Sequence, residues 1–138
     1  MNIYLWKYQQ KNRNYAGHHL SADAEGAEYL IELLGHLETT TKSKSKTVHL
    51  SPVTKKVLSV PGYNAPIVKY NEWKLELVTE AKDEYFEFDR NNSNCILKLS
   101  NAQAGCIMDG VKDISQGKGD YCIGGDKDNV IWFWWYLA

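Results

Sequence analysis

No apolar run in this chain is longer than the nine residues from Val130 to Ala138, far short of the roughly 20 that a membrane-spanning helix needs. Cysteine is scarce. Cys95, Cys106 and Cys122 are odd in number, widely spaced and without a CxxC, a pattern that predicts reduced thiols in a cytosolic protein, with Cys95 and Cys106 buried. An excess of either charge is also missing. With 16 basic and 17 acidic residues the formal net charge is −1, which leaves no basic surplus to neutralise nucleic-acid phosphates and no polybasic anchor for anionic lipid. Asn2 and Lys7 interrupt the opening segment Met1–Gln10, so the continuous apolar core of a secretory leader is absent. These absences predict a cytoplasmic protein with neither a membrane nor a nucleic-acid partner. No HExxH, GxSxG or other nucleophile signature appears, so no metal, no cofactor and no catalytic constellation is expected.

What remains is material for one domain, residues 1–138. Residues 2–8 read as a strand that is apolar on both faces: Ile3 and Leu5 alternate with Tyr4, Trp6 and Tyr8. Residues 9–19 are polar and read as a loop. Ser21 then has the character of an N-cap, followed by Asp23 and Glu25 in the first turn and by Ala27, Leu30, Ile31, Leu34 and Leu37 at helical spacing, a helix over 22–37. After the polar connector 38–46 and a short strand at 47–51, residues 52–60 read as one helical turn or an extended segment, and Pro61, Gly62 and Pro66 keep the next stretch irregular. Three alternating segments around Trp73–Leu77, Tyr85–Asp89 and Cys95–Leu99 predict an antiparallel meander covered on one side. A second helix follows over 102–115, capped by Ser100 or Asn101, with Ala104, Ile107, Met108, Val111 and Ile114 as its stripe. Gly105 and Gly110 inside it each weaken a helix by roughly 1 kcal/mol relative to Ala and so point to close backbone packing. The expected order is β-α-β-β-β-β-α-β. The fold class is α+β, with a mainly antiparallel sheet of five to six strands and two helices on one face.

The last strand is the most informative segment. In period two, Val130, Trp132, Trp134 and Tyr136 share one face, and Ile131, Phe133, Trp135 and Leu137 the other. A strand apolar on both sides must be covered twice or must offer one side to a partner. Because the first strand has the same character, the two are expected to pair near the middle of the sheet. Ile3, Leu5, Ile131, Phe133, Trp135 and Leu137 would then meet the helices, or the reverse set if the register is swapped. Tyr4, Trp6, Tyr8, Trp132, Trp134 and Tyr136 would form one aromatic patch. Two readings of that patch stand: the segments 9–19 and 52–71 fold over it, or it is an exposed platform for a partner.

The glycine-rich stretch from Gly117 to Asp128 fails as a phosphate loop, since it follows a helix and lacks the GxxxxGK[ST] order. Asp120, Asp126 and Asp128 crowd together but do not fit an EF-hand. His18 and His19 are adjacent, and adjacent residues in extended chain point apart; His36 and His49 are isolated. The last quarter of the chain, Gly119-Asp120-Tyr121-Cys122-Ile123-Gly124 followed by Trp132-Phe133-Trp134-Trp135, resembles short uncharacterised bacterial proteins that end in a GDY-x-IG loop and an aromatic-rich strand. That resemblance implies a bacterial origin and no particular activity. By elimination, the expected function is a non-catalytic protein-binding module of immunity or adaptor type, using Tyr4, Trp6, Trp132, Trp134 and Tyr136 with Asp120 nearby. The alternative is a small enzyme or a small-ligand binder, carbohydrate included, with its site between the 117–128 and 9–20 loops.

Overall fold

A computed structural model describes residues 1–9, 15–125 and 128–138. It is α+β, with two mixed sheets in place of the single sheet expected. The elements in chain order are β1 (Ile3–Tyr8), β2 (His18–Ala22), α1 (Ala24–Thr39), β3 (Lys44–His49), α2 (Lys55–Leu58), β4 (Ile67–Lys69), β5 (Glu72–Leu77), β6 (Phe86–Asn91), β7 (Asn94–Leu99), α3 (Asn101–Ser115), β8 (Tyr121–Gly124) and β9 (Val130–Phe133). One sheet runs β4-β1-β2-β9-β8 and the other β3-β5-β7-β6. Most neighbours are antiparallel, but β2–β9 and β5–β7 are parallel. Among the described residues, no helix is long and apolar enough to cross a membrane.

Both long helices form where amphipathic spacing places them. The α1 cap is Asp23, not Ser21: the Asp23 carboxylate accepts from the Gly26 N–H at 2.8 Å and from the Asn2 N–H at 3.0 Å. Ser21 instead lies in β2, buried. Ser100 caps α3 through the Gln103 N–H. Ala27, Leu30, Leu34 and Leu37 of α1 and Ala104, Ile107, Val111 and Ile114 of α3 are buried. They join Ile3, Leu5, Leu20, Ile131 and Phe133 of the five-stranded sheet and Trp73, Leu75, Leu77, Cys95, Leu97 and Leu99 of the four-stranded one in one continuous core. At about 1.5–3 kcal/mol for each fully buried large aliphatic or Phe side chain, this core is the main stabilising term.

The strand phases match the alternation, but the pairing differs. The segments expected as a meander are not consecutive neighbours, because β7 inserts parallel to β5 and leaves β6 outside it. Nor do the first and last strands pair: β2 separates them, antiparallel to β1 and parallel to β9. Both strands are interior, as two-sided burial demands. The intervening strand was hidden in the supposed loop because His18, His19 and Ser21 break the apolar signal although all five of its residues are buried. The last strand also ends early, at Phe133, although the Trp134 N–H still donates to the Leu20 carbonyl. Alternation therefore lapses, and Trp135 joins the aromatic side instead of the helix side. Cys95 is buried, but Cys106 is exposed; it lies one residue, about 100° of helix, from the buried stripe position Ile107.

The two helical glycines differ in kind. A methyl group on Gly110 would meet the ring of the fully buried Phe133, whereas on Gly105 it would meet the flexible end of Glu38. Gly110→Ala should therefore lower stability by about 1–3 kcal/mol through overpacking, and Gly105→Ala should raise it by up to about 1 kcal/mol through helix propensity. Urea unfolding midpoints of the two variants compare them directly; a Gly110→Ala protein as stable as the parent would contradict the packing argument.

Candidate functional site

Two regions contain side chains of functional interest, one on each side of the five-stranded sheet. On the side away from α1 and α3, β1 and the C-terminal residues bring Tyr4, Trp6, Trp132, Trp134 and Tyr136 into one aromatic layer, as their spacing implies. The layer is covered. Tyr4, Trp6, Tyr8 and Trp134 are all at most 4% exposed, with Val57 of α2 among them and Val53, Leu58, Val60, Tyr63 and Ala65 packed against them. Trp132 and Tyr136 remain half-buried at the margin. Asp120 is not part of the layer. It is exposed in a turn at φ 73°, and its N–H donates to the Phe133 carbonyl at 2.8 Å. Asp126, grouped with it from the sequence, lies outside the described residues.

His19 is the centre of this layer. Its ring stacks on Trp6 at 5.5 Å, Trp132 at 6.1 Å and Trp134 at 6.2 Å between centroids. The Trp134 indole N–H, which can only donate, reaches His19 Nδ1 at 2.9 Å. The proton must therefore reside on Nε2, which donates to the Tyr15 carbonyl at 2.9 Å. Burial pushes the imidazole down to about 4, so His19 is neutral and fully bonded. This arrangement is structural, with no proton or lone pair left for a ligand.

His18, one residue earlier, faces the opposite side. There the end of the five-stranded sheet approaches β6 of the other sheet, and the gap between them is a cleft of about 540 Å³. Asn129 holds the two sheets together across it. Its amide nitrogen donates to the Phe86 carbonyl and its amide oxygen accepts from the Phe88 N–H at 2.8 Å, as a neighbouring strand would. His18 forms the floor, stacked on Phe88 at 3.8 Å and on Tyr70 at 5.7 Å between centroids. Its Nε2 shares a 3.1 Å hydrogen bond with the Tyr70 hydroxyl. Its Nδ1 is buried and has no partner among the described residues. Burial, and then the nearby Lys7 and His19, push His18 down to about 3, while burial lifts Tyr70 to about 12. Both groups are therefore uncharged at neutral pH. Lys7 and Asp128 stand at the opening, 3.8 Å apart and both partly exposed, an ion pair of small energetic value.

Of the segments expected to frame a ligand site, the 9–20 region supplies Gln9 and His18 to this cleft, and the 117–128 region supplies Asp128. His19 and Asp120 face elsewhere. Tyr70, Phe88, Arg90 and Asn129 come from three separate parts of the chain with no spacing that announces them. The alternation of β6, which places Phe86, Phe88 and Arg90 on one face, is the single sequence signal that groups any of them. Among the described residues no group of three or more His, Cys, Asp or Glu side chains converges as metal ligands do. Comparison with protein-family models, with curated proteins and with solved structures finds no match to this chain.

Proposed function

We propose that this protein is a non-catalytic binder of a small molecule, held in the cleft between the two sheets. The observation that carries the reading is His18. A buried imidazole nitrogen without a partner costs roughly 1–3 kcal/mol, and at the wall of a cleft a ligand is one means of completing it. Binding is favoured over bond-making because neither His18 nor Tyr70 is poised near neutrality, where a general acid or base works best. The aromatic layer supports a protein-binding module less well. Only its margin, Trp132, Trp135 and Tyr136 with the 40%-exposed Leu137, is open to an immunity- or adaptor-type partner. We infer a reducing cytoplasm from the free cysteines, two of them exposed, and a bacterial origin from the C-terminal resemblance alone.

The test is amide NMR with a panel of amino acids, hydroxy acids, sugars and nucleosides. At least one compound should give saturable shifts at Lys7, His18, Phe88 and Asn129 that disappear in His18→Phe, a variant that keeps the stack and removes the nitrogens. Shifts gathered at Trp132, Trp135 and Tyr136, or none anywhere, would defeat the reading.

A further inference from the structure

We propose that the ligand of the inter-sheet cleft meets the His18–Tyr70 pair with an uncharged group that both gives and takes a hydrogen bond, a primary amide or a hydroxyl. This rests on the reading above that the cleft is the binding site. A neutral imidazole carries one proton and a phenol carries another, and these two side chains share a single 3.1 Å bond between His18 Nε2 and the Tyr70 hydroxyl. If the hydroxyl donates, Nδ1 keeps the imidazole proton to give, and the phenol oxygen is left to accept. If Nε2 donates, Nδ1 is left to accept, and the phenol proton is there to give. Either way the pair ends in one donor and one acceptor. Its demand is the same in both tautomers.

The lining does not meet that demand from within. Among the described residues His18 Nδ1 has no partner, and the Tyr70 hydroxyl is bonded to His18 alone. Both side chains are nearly out of water, 5% and 7% exposed, and both line the cleft. The two carboxamides of the lining are engaged elsewhere: Gln9 donates to the Ile67 carbonyl and Asn129 to the Phe86 carbonyl. A molecule in the cleft is left to supply one acceptor and one donor.

Ionic groups fail on two counts. A carboxylate only accepts and an ammonium only donates, so each completes one end of the pair and leaves the other bare. Nor does the site reward charge. Lys7 and Arg90 share the lining with Glu87, Asp89 and Asp128, and Lys7 already approaches Asp128 at 3.8 Å. With the signs close to balance, an ionised group gains little to offset its lost hydration. The remainder of the molecule meets an apolar surface, Val68 and the Phe88 ring that stacks on His18, in a space of about 540 Å³.

The experiment titrates the full chain at neutral pH with four probes of one shape: benzamide, benzyl alcohol, benzoate and benzylammonium. Saturable amide shifts at His18, Tyr70 and Phe88 are expected from benzamide or benzyl alcohol, with roughly tenfold or more weaker binding of the two ions. A response to benzamide alone identifies an amide ligand, and a response to benzyl alcohol alone a hydroxylic one such as a sugar. In imidazole ¹⁵N spectra the bound neutral probe should move the His18 Nδ1 resonance more than Nε2, and Tyr70→Phe, which keeps the ring, should weaken binding roughly tenfold. An ion bound as tightly as the neutral probes, affinity unchanged in Tyr70→Phe, or silence from all four probes overturns the assignment. If a compound of the metabolite panel still shifts the cleft amides after any of these results, the cleft remains the binding site and only the class was wrong. If the panel is silent as well, both readings fall.

Discussion

Trp134→Ala should destabilise the protein by about 3–5 kcal/mol, a fall of roughly 10–20 °C in Tm. Three losses combine. The indole is 2% exposed, so its removal leaves a cavity under the cover formed by residues 53–65. It stacks on Trp132 at 5.8 Å and on His19 at 6.2 Å, and those contacts vanish. It also supplies the only proton to His19 Nδ1 among the described residues, and its loss leaves a buried acceptor unpaired. Calorimetric melting of the variant decides the matter. A Tm within a few degrees of the parent would mean that the fold does not need this ring, and the aromatic side would again be open to the protein-partner reading.

Mild acid should weaken the fold already between pH 6.5 and 5. The ordinary histidine value is 6.5, whereas folding holds His18 at about 3 and His19 at about 4. Between pH 6.5 and 4 the unfolded chain therefore binds protons that the folded chain refuses, and stability falls as pH falls through that window. Each histidine withdraws about 1.4 kcal/mol per pH unit below 6.5, so the two together remove about 4 kcal/mol by pH 5. The contribution is fully present above pH 7. Urea midpoints measured from pH 7.5 to 5 give the slope, and a double His18→Gln, His19→Gln variant should be less stable at pH 7.5 but markedly flatter below it. A parent protein whose midpoint does not move between pH 7 and 5 would show that neither imidazole is held neutral.

The parts of the fold that follow from local periodicity were legible in the chain. Leu30, Leu34 and Leu37 announce α1 by helical spacing, and Trp73, Leu75 and Leu77 announce β5 by alternation, because side-chain direction repeats within one element whatever surrounds it. Pairing was not legible. The insertion of β2 between β1 and β9, and of β7 between β5 and β6, depends on which apolar faces meet at long range, and nothing in the strands themselves names their neighbours. His-His-Leu-Ser-Ala carries no strand signature, since its burial depends on partners elsewhere: Tyr70 and Phe88 for His18, Tyr15 and Trp134 for His19, and the Trp135 carbonyl for Ser21. The aromatic grouping of Tyr4, Trp6, Trp132, Trp134 and Tyr136 was legible for the same local reason as the strands. Its cover was left open, because residues 52–60 read equally as a helical turn or an extended segment and the stretch after them as irregular chain. The cleft is further still from the sequence. Lys7, His18, Tyr70, Phe88, Arg90 and Asn129 meet only after both sheets have formed and Asn129 has joined them.

The adjacency of His18 and His19 makes the chemistry of this molecule a matter of parity. Odd and even positions of β2 serve two different compartments, a wet one and a dry one, with a single peptide bond between them. Gly17, at φ +100° and tight against Val130, fixes where the count begins. Inserting one residue directly after it turns both imidazoles to the opposite face, sending the ring bonded to tryptophan toward the cleft side and the unpartnered ring toward the aromatic layer. Changes of two residues preserve the assignment.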